Sequence, residues 1–266
     1  MPYVLWLSTA GIIYGALVAL AQSDVKRLIA YSSVSHLGYC MLGLFAFNRP
    51  AMQGGVLQMI NHGLSTGGLF AVFGMIYERY HTREIKDLGG LARRIPLLAL
   101  FMLLFTFSSI GLPGMNGFAG EFLILIGMFQ RGWAEAPAGM QISYTAISVL
   151  AVFGVVLGAW YMLWLVQRVF FGPLKEPHEK HGAEAQVEVR DLSLREVAAL
   201  APLLVFVFWI GLAPKYFLDR LEPTLEKTLN QVSTAVERRF KEKYEPGEDT
   251  ARSTSGAATE KLSRVR

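Results

Sequence analysis

The stretch Pro96–Arg131, PLLALFMLLFTFSSIGLPGMNGFAGEFLILIGMFQR, decides the fold of this chain. A straight helix crosses a hydrocarbon core of ~30 Å with about 20 residues, and this apolar run is far longer. The segment Gly111–Gly117, GLPGMNG, interrupts it with three glycines and with Pro113, which lacks a backbone donor. The stretch therefore predicts a membrane-spanning helix that is broken in the middle.

One carboxylate, Glu121, follows this break with apolar residues on both sides. A charged group inside a membrane costs several kcal/mol unless it faces a partner or a polar cavity, so it is a candidate functional residue. At a hydrated helix break such a group can accept and release protons. The alternative is that Glu121 reaches an interface or caps the short helix that follows Gly117.

The composition predicts a polytopic helical membrane protein. Hydrophobic residues make up 53% of the 266 residues, charged residues only 17%, and the mean hydropathy is +0.36; soluble domains carry about 25% charge. The net charge of +4 is a usual loop bias and does not indicate nucleic acid binding. The single cysteine, Cys40, excludes an internal disulfide and is interpreted as a small buried residue.

Six membrane spans are predicted, of which the fourth is discontinuous. They cover about residues 3–21, 28–47, 54–77, 96–131, 144–171 and 197–212. Ser193 and Glu196 have the spacing of a capping box before the last span. The predicted fold class is all-α, with a membrane domain over 1–217, an amphipathic helix over 218–244 and a disordered tail over 245–266.

The distribution of basic residues predicts the orientation in the cell (inner) membrane. The loops after the first, third and fifth spans hold Lys26, Arg27, Arg79, Arg83, Lys86, Arg93, Arg94 and Lys175. The loops after the second and fourth spans hold only Arg49 and Arg131. Because short cytoplasmic loops are rich in lysine and arginine, the first set is expected in the cytoplasm and both termini on the outer face.

A polar stripe crosses the third span. Gln58, His62 and Thr66 are spaced by four residues and share one helix face, with Asn61 and Ser65 beside them. This pattern favours His62 as part of a proton path, although a histidine in a membrane helix is often only a packing residue. The neighbouring glycines at 63, 67 and 68 also allow close helix approach.

His36 and Lys26 are further candidates near the second span. His36 shares a helix face with Ser32, and their side chains could order water; an interfacial histidine bonded to the backbone is the alternative. Lys26 could polarise a buried polar chain or pair with Asp24 at the interface.

The chain carries no motif for a redox cofactor or a metal. His178 and His181 have a spacing of three, but no carboxylate or cysteine set accompanies them, so a solvated loop is favoured. GxGxxG, Walker A and CxxC motifs are absent from the sequence. We therefore expect no redox chemistry in this chain itself.

Several longer motifs carry a resemblance to a known family. They are AQSDVKRLIAYSSVSHLG (21–38), MINHGLS (59–65), YERYHTR (77–83), GGL (89–91), GLPG (111–114) and GEF (120–122). The chain resembles the antiporter-like membrane subunits of respiratory complex I from near its start to about Pro214. Within this family it is most similar to the subunit M branch, because related branches tend to carry lysine where Glu121 stands.

The resemblance implies roles for individual residues. Glu121 would be the proton-exchanging carboxylate, His62 and His36 would belong to the polar axis that feeds it, and Lys26 would lie on the loop leading into the same half. The family fold has fourteen spans with two inverted repeats, each containing one broken helix. The first span here corresponds to the ninth of the family, so the first repeat is missing; we expect either a fragment or a separate polypeptide that supplies it.

The resemblance also implies a function and partners. The expected function is the C-terminal half of a proton-translocating subunit of NADH:quinone oxidoreductase. NADH, FMN, iron–sulfur clusters and quinone would bind to partner subunits, and the partners would be L-like and N-like membrane subunits, the missing half and lipid, without nucleic acid. Two alternatives stay open, namely a subunit of a cation/proton antiporter or membrane-bound hydrogenase, and a scaffold without transport.

Overall fold

Helices account for nearly all of the described chain. The computed structural model describes residues 2–134, 139–177 and 189–244. The helices of these residues are α1 (Pro2–Leu20), α2 (Val25–Phe45), α3 (Arg49–Tyr80), α4 (Pro96–Ser109), α5 (Asn116–Trp133), α6 (Gln141–Phe170), α7 (Leu194–Leu212) and α8 (Pro214–Tyr244). Two short 3₁₀ turns, Ile85–Asp87 and Leu91–Arg93, lie in the loop between α3 and α4.

The helices confirm the predicted fold class. Five of them, α1, α2, α3, α6 and α7, are long and apolar enough to cross a membrane. The shorter α4 and the following α5 form the discontinuous fourth span. Helix α3 begins at Arg49, earlier than the predicted residue 54, because Asn48 caps it and Pro50 lies in its first turn.

The predicted break lies between Ser109, where α4 ends, and Asn116, where α5 begins. Gly111 has a φ of 72° and Gly114 a φ of 92°. Residues with a Cβ rarely adopt this left-handed conformation, so these two glycines allow the chain to leave one helix and enter the next. Helix α5 begins within the segment that the sequence assigns to the break, which places Glu121 in the second turn of α5.

The loops that follow α1, α3 and α6 meet at one end of the molecule, which we call the basic end (residues 21–24, 81–95 and 171–177). The backbone N–H of Val25 donates to the carbonyl of Arg83 at 3.0 Å, and Gly89 pairs with Lys175 in an isolated antiparallel bridge. Asp24 accepts a hydrogen bond from the backbone N–H of Arg27 and thereby caps α2. These bonds fix the three loops against one another.

The beginning of α7 is joined to the end of α3. Ser193 and Glu196 form the predicted capping box, which is confirmed. Both carboxylate oxygens of Glu196 also accept from the Arg79 guanidinium at 2.9 Å. This bidentate pair links α7 to α3.

Glycines bring α2, α3 and α5 into close contact. A Cβ added to Gly54 of α3 would lie 2.7 Å from the carbonyl oxygen of Gly120 and 2.7 Å from the nitrogen of Ile124, both in α5. A Cβ at Gly43 of α2 would similarly collide with the backbone of Ala51 in α3. Such small residues let helix backbones approach closely inside a membrane. Cys40 of α2 is buried, as predicted.

The last helix, α8, extends without interruption from Pro214 to Tyr244 and contains Pro223. The chain divides into two compact units, residues 1–222 and 223–266. The amphipathic helix predicted over 218–244 is thus part of a longer helix. Pro137, His178, His181 and the predicted tail 245–266 lie outside the described residues.

Candidate proton-exchange site

Glu121 is buried at the helix break. Its side chain lies in the second turn of α5 and the residue is 5% exposed. One carboxylate oxygen, Oε1, is 3.1 Å from Nδ1 of His36, and it accepts a hydrogen bond from Nε2 of Gln58 at 3.0 Å. The alternative that Glu121 caps α5 is wrong, because the cap position is Met115 and the side chain of Glu121 points to α2 and α3 instead.

We refer to Glu121, His36 and Gln58 as the acid cluster. Its three side chains come from α5, α2 and α3, so it forms only when all three helices pack. Gly120 permits this packing, since a Cβ at that position would collide with Oε1 of Gln58. The contacts with His36 and Gln58 give the buried polar oxygen of Glu121 its hydrogen-bonding partners.

His36 connects the acid to the end of α4. His36 is 6% exposed. The ring nitrogen that faces away from Glu121, Nε2, lies 3.3 Å from Oγ of Ser109. The two ring nitrogens therefore face two different hydrogen-bonding groups, one of which is the carboxylate. The alternative of an interfacial histidine bonded only to backbone is wrong for the described structure.

His62 lies next to His36 but does not reach Glu121. The ring centroids of the two histidines are 5.1 Å apart, and Nδ1 of His62 is 3.0 Å from Oγ1 of Thr66. His62 is half-buried, whereas His36 is buried. The sequence singled out His62 as the stronger candidate, but the structure places His36 in direct contact with the acid.

A polar network ties the break itself to α3. Nδ2 of Asn61 donates to the carbonyl of Asn116 at 2.7 Å, and it also lies 3.3 Å from Oε1 of Gln58. Ser108 donates to Oδ1 of Asn116 and shares a hydrogen bond with Ser65. Gln58 and Asn61 thus join the acid to the backbone at the start of α5.

Sequence reasoning missed Asn116, Ser108 and Ser109 as members of this site. The signal was present, because these polar residues directly flank the break in an otherwise apolar run. Two buried oxygens, Oδ1 of Asn61 and Oγ1 of Thr106, have no hydrogen-bond partner among the described residues. Buried polar atoms of this kind commonly bind ordered water.

Gly111 brings the backbone of the break against the acid. A Cβ at this position would lie 3.0 Å from Oε2 of Glu121, the oxygen opposite to the one that contacts His36. The glycine therefore serves two purposes, since it adopts a left-handed conformation and leaves space beside the carboxylate.

Lys26 lies apart from the acid cluster. It is exposed in the first turn of α2, ten residues before His36. At a rise of ~1.5 Å per residue, this separation is about 15 Å along the helix axis. The described structure therefore brings His36, Glu121 and His62 together but not Lys26.

The first part of the chain matches a known protein family. The family model described as "NADH:quinone oxidoreductase/Mrp antiporter, TM" matches residues 1–148, more than half of the chain. This range includes every member of the acid cluster.

One curated relative is NADH-quinone oxidoreductase subunit M of Rhodobacter capsulatus, which is 42% identical over 223 residues. The alignment covers 84% of this chain and 40% of the relative, so the chain spans less than half of the relative's length.

Solved structures show the same fold. A chain of respiratory complex I from Thermus thermophilus with bound NADH matches with a TM-score of 0.71 and 33% identity, over 86% of this chain and 44% of that chain. A chain of the Mrp complex from a Dietzia species also matches with a TM-score of 0.71, over 89% of this chain and 49% of that chain. Its identity is 22%, so this second likeness concerns the fold alone.

Proposed function

The chain belongs to the NADH:quinone oxidoreductase/Mrp antiporter membrane family, and we propose that it exchanges protons as part of a proton-translocating NADH:quinone oxidoreductase. This membership confirms the resemblance inferred from the motifs. The observation that supports the function is the buried Glu121 at the helix break, whose carboxylate contacts the imidazole of His36.

In the proposed mechanism Glu121 accepts and releases the proton. His36 is the direct partner, because a proton on the shared hydrogen bond can reside on either Oε1 or Nδ1. His62 comes next, one ring contact further from the acid. Redox energy released in partner subunits, which would hold NADH, FMN, iron–sulfur clusters and quinone, would shift the protonation of these groups.

The side chains that contact the Glu121 carboxylate favour exchange of a proton over binding of a sodium ion. The two groups that contact Oε1 are a ring nitrogen of His36 and the amide nitrogen of Gln58. Hard metal cations prefer a shell of oxygen ligands. A hydrogen-bonded pair of titratable groups instead suits transfer of a proton, and this distinguishes our proposal from the cation antiporter alternative.

We further propose that the basic end faces the cytoplasm, with both termini of the chain on the outer face of the inner membrane. The support is the positive-inside rule, since the loops of this end carry most of the basic residues near the spans. The proposed partners are other membrane subunits of the same complex, including L-like and N-like ones. A polypeptide segment equivalent to the first half of the family fold would complete the path across the bilayer.

Replacement of Glu121 by Gln tests this function. In the membrane complex that contains this chain, we expect Glu121→Gln to abolish proton translocation, because an amide keeps the size of the side chain but cannot carry the proton. Proton uptake and quinone reduction would be measured in sealed vesicles. The matched control is Glu78→Gln, which removes an exposed carboxylate from α3.

Unchanged translocation in Glu121→Gln would overturn the proposal and favour the scaffold alternative. A scaffold role predicts that Glu121 and His62 can be replaced together without loss of activity. It also predicts that removal of α6 or α7 prevents assembly of the complex.

A further inference from the structure

An open groove lies at the basic end, away from the acid cluster. Its volume is about 360 Å³, within the range of ligand-binding cavities. The residues that line it are Lys26, Phe70, Phe73, Gly74, Tyr77 and Arg83. We call this cavity the lipid groove.

Two cations, Lys26 and Arg83, line the groove. The hydrogen bond from Val25 N–H to the carbonyl of Arg83 holds the loop after α3 against the first turn of α2, which carries Lys26. Both side chains are exposed, and neither forms an ion pair with a carboxylate among the described residues. The Arg83 guanidinium lies 4.8 Å from the centre of the Tyr77 ring. The backbone thus brings two positively charged residues to one groove, and Arg83 lies over one of its aromatic rings.

The floor of the groove is apolar, and it is open at Gly74. Phe70, Phe73 and Gly74 belong to the last turns of α3, a helix long and apolar enough to span the membrane. A Cβ added to Gly74 would meet no heavy atom within 4 Å. Phe73 is buried in the core behind this surface, so the open part of the floor lies at Gly74.

We propose that the lipid groove binds an anionic phospholipid of the leaflet at the basic end. The phosphate lies between Lys26 and Arg83, and an acyl chain follows Phe70, Phe73 and Gly74. Basic pockets beside membrane helices attract anionic headgroups, with about 1 kcal/mol for each cation near the surface. The cations that line the groove match the phosphate of a phospholipid, and the apolar floor matches its acyl chain.

A phospholipid suits these charges better than a covering protein helix. A protein that buried both cations would have to supply carboxylates for them, because unpaired buried charges are costly. A phosphate at the membrane surface leaves both cations partly hydrated. The proposal is independent of proton transfer, since its site lies about 15 Å from His36 along α2.

Photolabelling tests whether Lys26 and Arg83 bind the phosphate of the lipid. The full chain would be reconstituted in phosphatidylcholine vesicles that contain phosphatidylglycerol with a photoreactive acyl chain, and labelled peptides would be identified by mass spectrometry. We expect labelling of the last turns of α3, reduced about fivefold in Lys26→Gln or Arg83→Gln and about 25-fold in the double variant. Lys86→Gln removes an exposed charge from the same loop outside the groove and should leave labelling unchanged.

A steric variant tests the groove without altering charge. Gly74→Leu fills the floor, and the open space around this residue means that the fold tolerates the new side chain. We expect it to abolish labelling, whereas Gly63→Leu, three turns away on α3 and equally open, should not.

Three results would overturn the proposal. The first is equal labelling by photoreactive phosphatidylcholine, which would indicate unspecific contact with the bilayer. The second is competition by free glycerol phosphate at the concentration at which the lipid binds, which would indicate a soluble ligand. The third is loss of all labelling in the assembled complex, which would indicate that a neighbouring subunit occupies the groove.

Discussion

Glu121 and His36 are 85 residues apart in the sequence, and their side chains meet in the buried interior. The sequence could identify each of them as a costly polar residue in an apolar helix, but not as partners. The reason is physical: the serines at 32, 33 and 35 near His36 spread over more than one face of α2, so no single polar stripe indicates which face of this helix meets α5. Only the close approach of α2, α3 and α5 decides that His36, rather than His62, contacts the acid.

The two histidines are therefore predicted to differ in their effect on proton transfer. His36→Gln keeps a hydrogen-bonding side chain beside Glu121 but removes the titratable partner, so proton translocation should fall by about 100-fold. His62→Gln should have a smaller effect, because His62 contacts Thr66 and not the acid. Both variants would be measured for proton uptake in vesicles with quinone reduction as the reference. Equal losses in the two variants, or a larger loss in His62→Gln, would contradict the geometry described above.

At the scale of helices, the break between α4 and α5 was predictable because Pro113 lacks a backbone donor and the glycines beside it disfavour a helix. The exact start of α5 was not predictable from the sequence. Asn116 and Gly117 belong to the helix because of contacts with α3 and α4 that only the fold creates. The glycines of α3 also show that the sequence does not indicate which small residues are packing contacts. Gly63 and Gly67 face open space, Gly68 packs on Phe105, and all three look alike in the sequence.

Alanine at two glycines of α3 tests this packing. Gly54→Ala forces α3 away from α5, where the added Cβ would meet backbone atoms, and overpacking of this kind costs about 1–3 kcal/mol. Gly63→Ala meets nothing and should gain up to ~1 kcal/mol from helix propensity. Thermal unfolding of the purified chain in detergent would compare the two. Equal stability of both variants would show that α3 and α5 do not depend on this contact.

At the scale of the molecule, the sequence predicts which loops form the basic end, but it does not predict the contacts between them. The charge pattern predicted that the loops after α1, α3 and α6 share one side of the membrane, and the structure joins these loops by hydrogen bonds. The lipid groove arises from that junction, because Lys26 at the start of α2 and Arg83 in the loop after α3 are far apart in the sequence. The hydrogen bonds at the basic end thus bring together two residues that do not form a groove in either segment alone.

The central claim is that the carboxyl group of Glu121 exchanges a proton while the chain stays folded. Infrared difference spectroscopy of the full chain in nanodiscs, titrated between about pH 4 and pH 10, measures this directly. We predict a carbonyl band of a protonated carboxyl that changes with pH, shifts in D₂O, is retained in Glu78→Gln and is missing from Glu121→Gln. A spectrum in which Glu121→Gln removes no titrating band would contradict the account.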